Sequence, residues 1–215
     1  MKVSERFYAQ SLSLPKVIVH KDETGDLLFV ILNWGEQAHV DNLISEMTQF
    51  IHAASADVEV THPYDLIPHL PKDVNTLRIA MMIGNDYLYR QENNHEYNAG
   101  VEILILKKNK NMMSWARLGR PSLFRYKNKE IVPILTFNSI LKELPTELLG
   151  VHQKIDVQSG HFPIDQSIDL IAYCGVDWPQ LDKLNNLSFE VDPVVHTLIK
   201  AQPKISGFWL AIISD

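Results

Sequence analysis

The sequence predicts an α+β fold, and three observations carry that expectation. Apolar, β-branched runs of strand length recur along the chain. Helical periodicity is confined to two blocks. The run of strands between those blocks is linked by tight turns, which favours antiparallel pairing. Helices packed on both outer faces of two stacked, mainly antiparallel sheets would give a four-layer αββα sandwich. The 215 residues show no repeat, no low-complexity segment and no linker, so a single domain over 1–215 is expected.

The elements follow in order. "KVIVH" (16–20) and "DLLFVIL" (26–32), split by the turn-like "KDETG", read as paired strands. The second lacks polar alternation and should be buried on both faces. After Gly35, "EQAHVDNLISEMTQFIHAA" repeats Val40, Leu43, Ile44, Met47, Phe50 and Ile51 at spacings of three and four, the stripe of a helix buried on one side. "VNTLRIAMMIGNDYLYRQ" is a second helix, with Leu77, Ala80, Met81, Gly84, Tyr87 and Leu88 on one face. "NAGVEILILKK", "MMSWARLG", "SLFRYKN" and "EIVPILT" read as an antiparallel meander, in which "SWARLGRPSLFRY" (114–126) is a hairpin that presents Arg120 from its turn. "NSILKELPTELLG" is a loop, and "HQKIDVQ" and "SIDLIAYCG" are further strands. "WPQLDKLNN" and "DPVVHTLIKAQ" are short helices, the second with Asp192 as N-cap and Pro193 at the first helical position. "GFWLAIIS" closes the chain as a buried strand.

Composition narrows the function classes. The hydrophobic share of 46% and the charged share of 21% are those of a soluble globular protein. A net charge of −6, with pI near 5.8, argues against nucleic acid as a partner, which needs a basic footprint. The one basic run, "KKNKN" (107–111), sits between two strands and reads as a solvated turn. A single cysteine, Cys174, excludes an intramolecular disulfide and fits a cytoplasmic location. The N-terminus has no apolar run of a secretion signal, and no segment is long and apolar enough for a membrane span.

The element order and the local sequence at four turns resemble the metal-dependent serine/threonine phosphatases of type 2C, from about residue 16 to the C-terminus. "AGVEILILKKNKNMMSWARLGRPSLFRY" is similar to that family's strand, hairpin, strand, Gly-Asp-Ser turn and strand. "LPTELLGV" followed by "FPIDQSIDLIAYCGVDW" is similar to the segment ending in Ser-Asp-Gly. The resemblance implies an αββα sandwich with its site at one end of the sheets. There, carboxylates would hold two Mn²⁺ or Mg²⁺ ions that activate a bridging water.

The expected carboxylates are missing at each turn. In the Asp-Gly-x-Gly-Gly turn, "LLFVILNWGE" keeps Gly35 but puts Leu32 at the aspartate position and Asn33 at the first glycine, or Asn33 at the aspartate after a slip of one residue. In the Gly-Asp-Ser turn, Gly119-Arg120-Pro121 replaces a negative charge by a positive one, which would repel the cations. In the Ser-Asp-Gly turn, Tyr173-Cys174-Gly175 offers a soft thiol that does not select Mn²⁺ or Mg²⁺. Before the last strand stand Ser206 and Gly207. The glycines and strands are kept while the metal ligands are lost.

Other constellations are weaker. His62, Asp65 and His69 do not have a zinc spacing, and with His95 and Glu96 they read as surface loops. Cys174, with His152 or His161, could be a nucleophile, but a buried structural thiol is the commoner case. Trp34, Trp178 and Trp209 lie beside three of the four altered turns and would offer apolar surface to a protein partner if they cluster. Arg120 could hold a phosphate through its planar fork; a solvated or salt-bridged surface arginine is the plainer alternative.

The expectation is thus a catalytically inactive, cytoplasmic type 2C phosphatase-like domain, a pseudophosphatase without metal cofactor, acting as a regulatory module on a protein partner that is phosphorylated if Arg120 reads phosphate. The alternatives are an active Mn²⁺- or Mg²⁺-dependent phosphatase with displaced ligands (Asp22, Asp26, Glu36 or Asp177), and a phosphopeptide reader acting through Arg120. Neither nucleic acid nor membrane is an expected partner.

Overall fold

A computed structural model describes residues 1–9, 14–56, 64–137, 147–164, 169–175, 179, 184, 188–205 and 207–214. The described residues form two antiparallel five-stranded sheets, each in its own compact unit. Among the described residues no helix is long and apolar enough to cross a membrane.

The first unit spans Pro15–Gly119 and Glu147–Ile164. Its strands are β2 (Lys16–Lys21), β3 (Leu27–Asn33), β4 (Val101–Asn109), β5 (Met112–Leu118) and β8 (Gln158–Pro163), in spatial order β2-β3-β4-β5-β8. β3 is buried at every residue, as its unbroken apolar run predicts. Leu27, Phe29 and Ile31 meet the stripe Val40, Leu43, Met47 of α1 (Gln37–Ala56) and Leu77, Met81 of α2 (Lys72–Tyr87) in one core cluster. α1 and α2 approach closely at Gly84, where a Cβ would lie 2.7 Å from Leu43 Cδ1 and 2.9 Å from Met47 Sδ. α2 ends in a π-helical turn, Leu88–Glu92, a local widening that is frequent near functional sites.

The second unit spans Met1–Leu14, Arg120–Thr146 and Asp165–Asp215. Its sheet runs β1-β10-β9-β6-β7, from β1 (Lys2–Ala9), β6 (Ser122–Lys127), β7 (Glu130–Leu135), β9 (Leu170–Gly175) and β10 (Gly207–Ser214). α3 (Val191–Ala201) covers it through Val194 and Leu198, which share a core with Phe208, Leu210, Ile212, Ile171 and Phe124. Phe208 is flanked by Tyr8 and Tyr173, ring centroids 5.5 and 5.7 Å away.

Three expectations are corrected, and one strand is added to them. The meander is two hairpins, β4-β5 and β6-β7, in different sheets. The segment Gly119-Arg120-Pro121 therefore crosses from one sheet to the other and is not a hairpin turn. The N-terminal residues form β1, which pairs with all of β10 from Lys2↔Ser214 to Ala9↔Gly207; its largely exposed, charged sequence gave no periodic signal. The strand expected at 152–158 lies at Gln158–Pro163, where β5 sets the register through Arg117↔Gln158 and Met112↔Pro163. α3 begins at Val191, two residues before the expected first helical position, and Asp192 pairs with Arg6 at 2.7 Å instead of capping the helix. The expected helix at "WPQLDKLNN" lies largely outside the described residues.

Candidate functional site

In the first unit the candidate site is the turn that leaves β3. Leu32 is fully buried, opposite Glu102 of β4. Burying a leucine side chain contributes about 2 kcal/mol, so Leu32 is core and offers no ligand atom. The Asn33 side chain closes on its own turn. Its Oδ1 accepts the Gly35 N–H at 2.9 Å, and its Nδ2 donates to Gly35 O at 2.9 Å. That is the Asx-turn chemistry for which asparagine is selected, and it uses both ends of the amide. Gly35 is required by a close approach: a Cβ there would lie 2.4 Å from Asn98 O. Trp34 ties the turn to β4 twice. Its backbone N–H donates to Gly100 O at 3.0 Å, and its indole Nε1–H to Glu102 Oε2 at 3.1 Å.

Sequence reasoning missed Glu102. It is a fully buried carboxylate at the end of a central strand, and Gly119 is shaped around it. Gly119 has φ +84°, and a Cβ there would lie 2.5 Å from Glu102 Cγ. The available signal was the single charge inside the apolar run "GVEILIL", because a charge in a buried strand needs a partner.

The rim of this turn carries a second network. Glu92, on the π-helical turn, receives the Tyr87 hydroxyl at 2.5 Å and lies 2.7 Å from His39 Nδ1. Burial first, and then the Glu92 carboxylate, push the Tyr87 phenol up. Asn93 holds the facing loop: its Oδ1 accepts the N–H groups of Asn98 and Ala99, and its Nδ2 donates to Ala99 O and Gly150 O.

In the second unit, Arg120 is among the largest fully buried side chains, at 1% exposure. This corrects the expectation of a surface arginine, and it leaves no exposed guanidinium fork for a phosphopeptide. The Ser122 hydroxyl donates to Arg120 O at 3.3 Å and accepts the Phe137 N–H at 3.0 Å, fixing the start of β6. Cys174 is fully buried in β9, opposite Trp209 of β10, the setting of a structural thiol. Gly175 makes room for the Tyr173 ring, whose hydroxyl a Cβ would meet at 2.2 Å. Trp209 is core, with its indole donating to Glu5 Oε2 at 2.7 Å. Gly207 is buried at the start of β10. Ser206, Asp177, Trp178 and His62 lie outside the described residues.

The displaced-ligand candidates are scattered. Asp22 and Asp26 lie at the opposite end of β3, roughly 20 Å from Asn33 at about 3.3 Å per residue. Asp22 accepts the Leu27 N–H at 3.0 Å and the Thr24 hydroxyl at 2.7 Å, which makes it a turn cap. Glu36 points to solvent, 4.0 Å from His39. Asp65, His69, His95 and Glu96 are exposed, as expected of surface loops. In the basic run, Lys107 is not simply solvated: its ammonium reaches Asp73 at 2.6 Å and Ser55 at 2.7 Å. Burial would raise the Asp73 carboxyl, but Lys107 and Asn109 outweigh it and hold the carboxyl below its usual range.

Taken unit by unit, these residues do not suit hard divalent ions. Two positions are buried apolar or thiol side chains, one is a cation, and the asparagine amide is already bonded. Among the described residues no group of three His, Cys, Asp or Glu side chains is placed to hold a metal.

No family model matches the chain, and no curated protein matches it by sequence. Solved structures do match. PppA of Pseudomonas aeruginosa, described as a key regulatory component of T6SS, matches with TM-score 0.65 and 14% identity, over 100% of this chain and 97% of its own. The serine/threonine phosphatase PstP of Mycobacterium tuberculosis matches with TM-score 0.65 and 11% identity over the same shares. The phosphatase MsPP of Mycobacterium smegmatis, a PPM Ser-Thr phosphatase, matches with TM-score 0.61 and 13% identity, over 99% and 97%. The fold is therefore that of the type 2C phosphatases, and the α+β expectation is borne out.

Proposed function

We propose that this chain is a catalytically inactive type 2C phosphatase-like protein that works as a regulatory, protein-binding module in the cytoplasm. The observation that carries this reading is the fate of the turn after β3. Leu32 is core, and the Asn33 amide is consumed by Gly35, so neither can bridge metal ions. Buried Arg120 and Cys174 support the same reading from the other sheet. Without metal there is no activated water to attack a phosphoester. A protein partner is consistent with the role described for PppA, a regulatory component. Asp22, committed to its own turn, supports this reading over the active-enzyme alternative.

Titration calorimetry with Mn²⁺, together with hydrolysis of para-nitrophenyl phosphate and a phosphopeptide, tests this. The expected outcome is no saturable heat and no turnover above buffer. A two-site isotherm of micromolar affinity with Mn²⁺-dependent turnover would overturn it.

A further inference from the structure

The unit that carries α1 and α2 has a cleft of about 420 Å³ whose described lining includes no residue of the turn after β3. One wall is the outer face of the end of α2 and its π-helical turn, from which Met82, Asp86 and Arg90 project at helical spacing. The other wall is Lys154 and Ile155, and Tyr64 completes the lining. The two walls are pinned by Asn85. This buried side chain accepts the Gly150 N–H at 2.8 Å and donates to His152 O at 2.9 Å. The cleft is thus preformed, and its volume falls in the range of small-molecule sites.

Its chemistry is specific. Met82, Ile155 and the Tyr64 ring form an apolar slot. Burial first, and then Asp86, push the Tyr64 phenol up to about 12. Its hydroxyl donates to Met82 O at 3.4 Å. Among the described lining residues two cations, Arg90 and Lys154, face one anion, Asp86. Arg90 lies 3.6 Å from Asp86 with its side chain 63% exposed, a weak surface pair that a ligand can displace. We propose that this cleft binds a small amphipathic carboxylate, its apolar body in the slot and its acid group on Arg90 and Lys154. A carboxylate suits the guanidinium fork of Arg90, and it balances the surplus positive charge. This site is independent of the phosphatase-like reading.

The probe is 2-naphthoate, followed by ligand-observed NMR and by intrinsic fluorescence with the full chain. Saturable binding in the millimolar range or tighter is expected. Arg90→Glu/Lys154→Glu should weaken it roughly tenfold to a hundredfold, and Ile155→Asp should weaken it as well. Lys2→Glu/Lys204→Glu, which makes the same change in net charge on the other unit, should leave it unchanged. Circular dichroism distinguishes loss of binding from loss of fold. Absence of binding at millimolar 2-naphthoate overturns the proposal. So does binding that survives Arg90→Glu/Lys154→Glu in the folded protein, or equal binding of the neutral naphthalene-2-methanol.

Discussion

β3 has a side-chain-closed turn at each end, and the two turns use the same device with different charge. Before the strand, the Asp22 carboxylate takes the Leu27 N–H and the Thr24 hydroxyl, with His52 3.5 Å away. After it, the Asn33 amide both accepts from and donates to Gly35. An aspartate can only accept, so it suits a turn whose neighbours are donors. An asparagine suits a turn that must also satisfy a carbonyl. The carboxylate therefore sits at the end where it has no metal to hold, while the end that a type 2C resemblance would supply with aspartate holds an amide. Position along a strand, not residue type alone, decides whether an acid is a ligand or a cap.

The largest expected effect tests the packing behind the second turn. Gly119→Ala puts a Cβ against Glu102 at φ +84°, which adds backbone strain to overpacking. A loss of roughly 2–4 kcal/mol in urea unfolding is expected; a loss under about 0.5 kcal/mol would mean that Glu102 and its indole tie to Trp34 do not hold this end rigid.

Next comes the exchange within that same turn. Asn33→Asp removes the donor to Gly35 O and sets a carboxylate beside that carbonyl, so roughly 1–2 kcal/mol should be lost at neutral pH. The substitution should not restore Mn²⁺ binding, because Leu32 stays core and one carboxylate is not the oxygen donor set of a hard cation. Calorimetry that detected Mn²⁺ binding would show that the turn was one residue from function.

The smallest effect belongs to Asp22→Asn and depends on pH. Burial alone would raise the Asp22 carboxyl, yet the bonds from Thr24, Leu27 and Gly25 and the nearby His52 hold it below the ordinary 3.8. A group whose folded pKa is depressed contributes stability that is present above the unfolded value and lost as pH falls through the folded value. Asp22→Asn should therefore cost about 0.5–1.5 kcal/mol at pH 7, and its unfolding curve should converge on the parent's in acid, below the ordinary carboxylate range. A constant gap between the two proteins down to low pH would remove charge from the comparison.

Much of the site is legible in the sequence, and the illegible part has a common cause. The altered turns could be located because each glycine and strand end carries a local signal: Gly35 after an apolar run, Gly119 between two strands, Gly175 after "LIAYC". What those residues do was not legible. Arg120 read as a surface cation and is buried. Glu102 passed unnoticed in an apolar strand and is the partner of Trp34. Burial and partnership depend on residues distant in sequence, as with Trp34 and Glu102, and periodicity does not report them.

The same division holds for the fold. The sequence by itself determined β3, β4, β10, α1 and α2, because a period of two or 3.6, or an unbroken apolar run, is a property of neighbouring residues. Only the tertiary structure decided that β5 and β6 part at Gly119-Arg120-Pro121 into different sheets, and that the polar N-terminus becomes β1 along the whole length of β10. Strand pairing is settled by backbone hydrogen bonds between segments far apart in the chain. Nearly every residue can make those bonds, so the sequence carries little record of which pair will form.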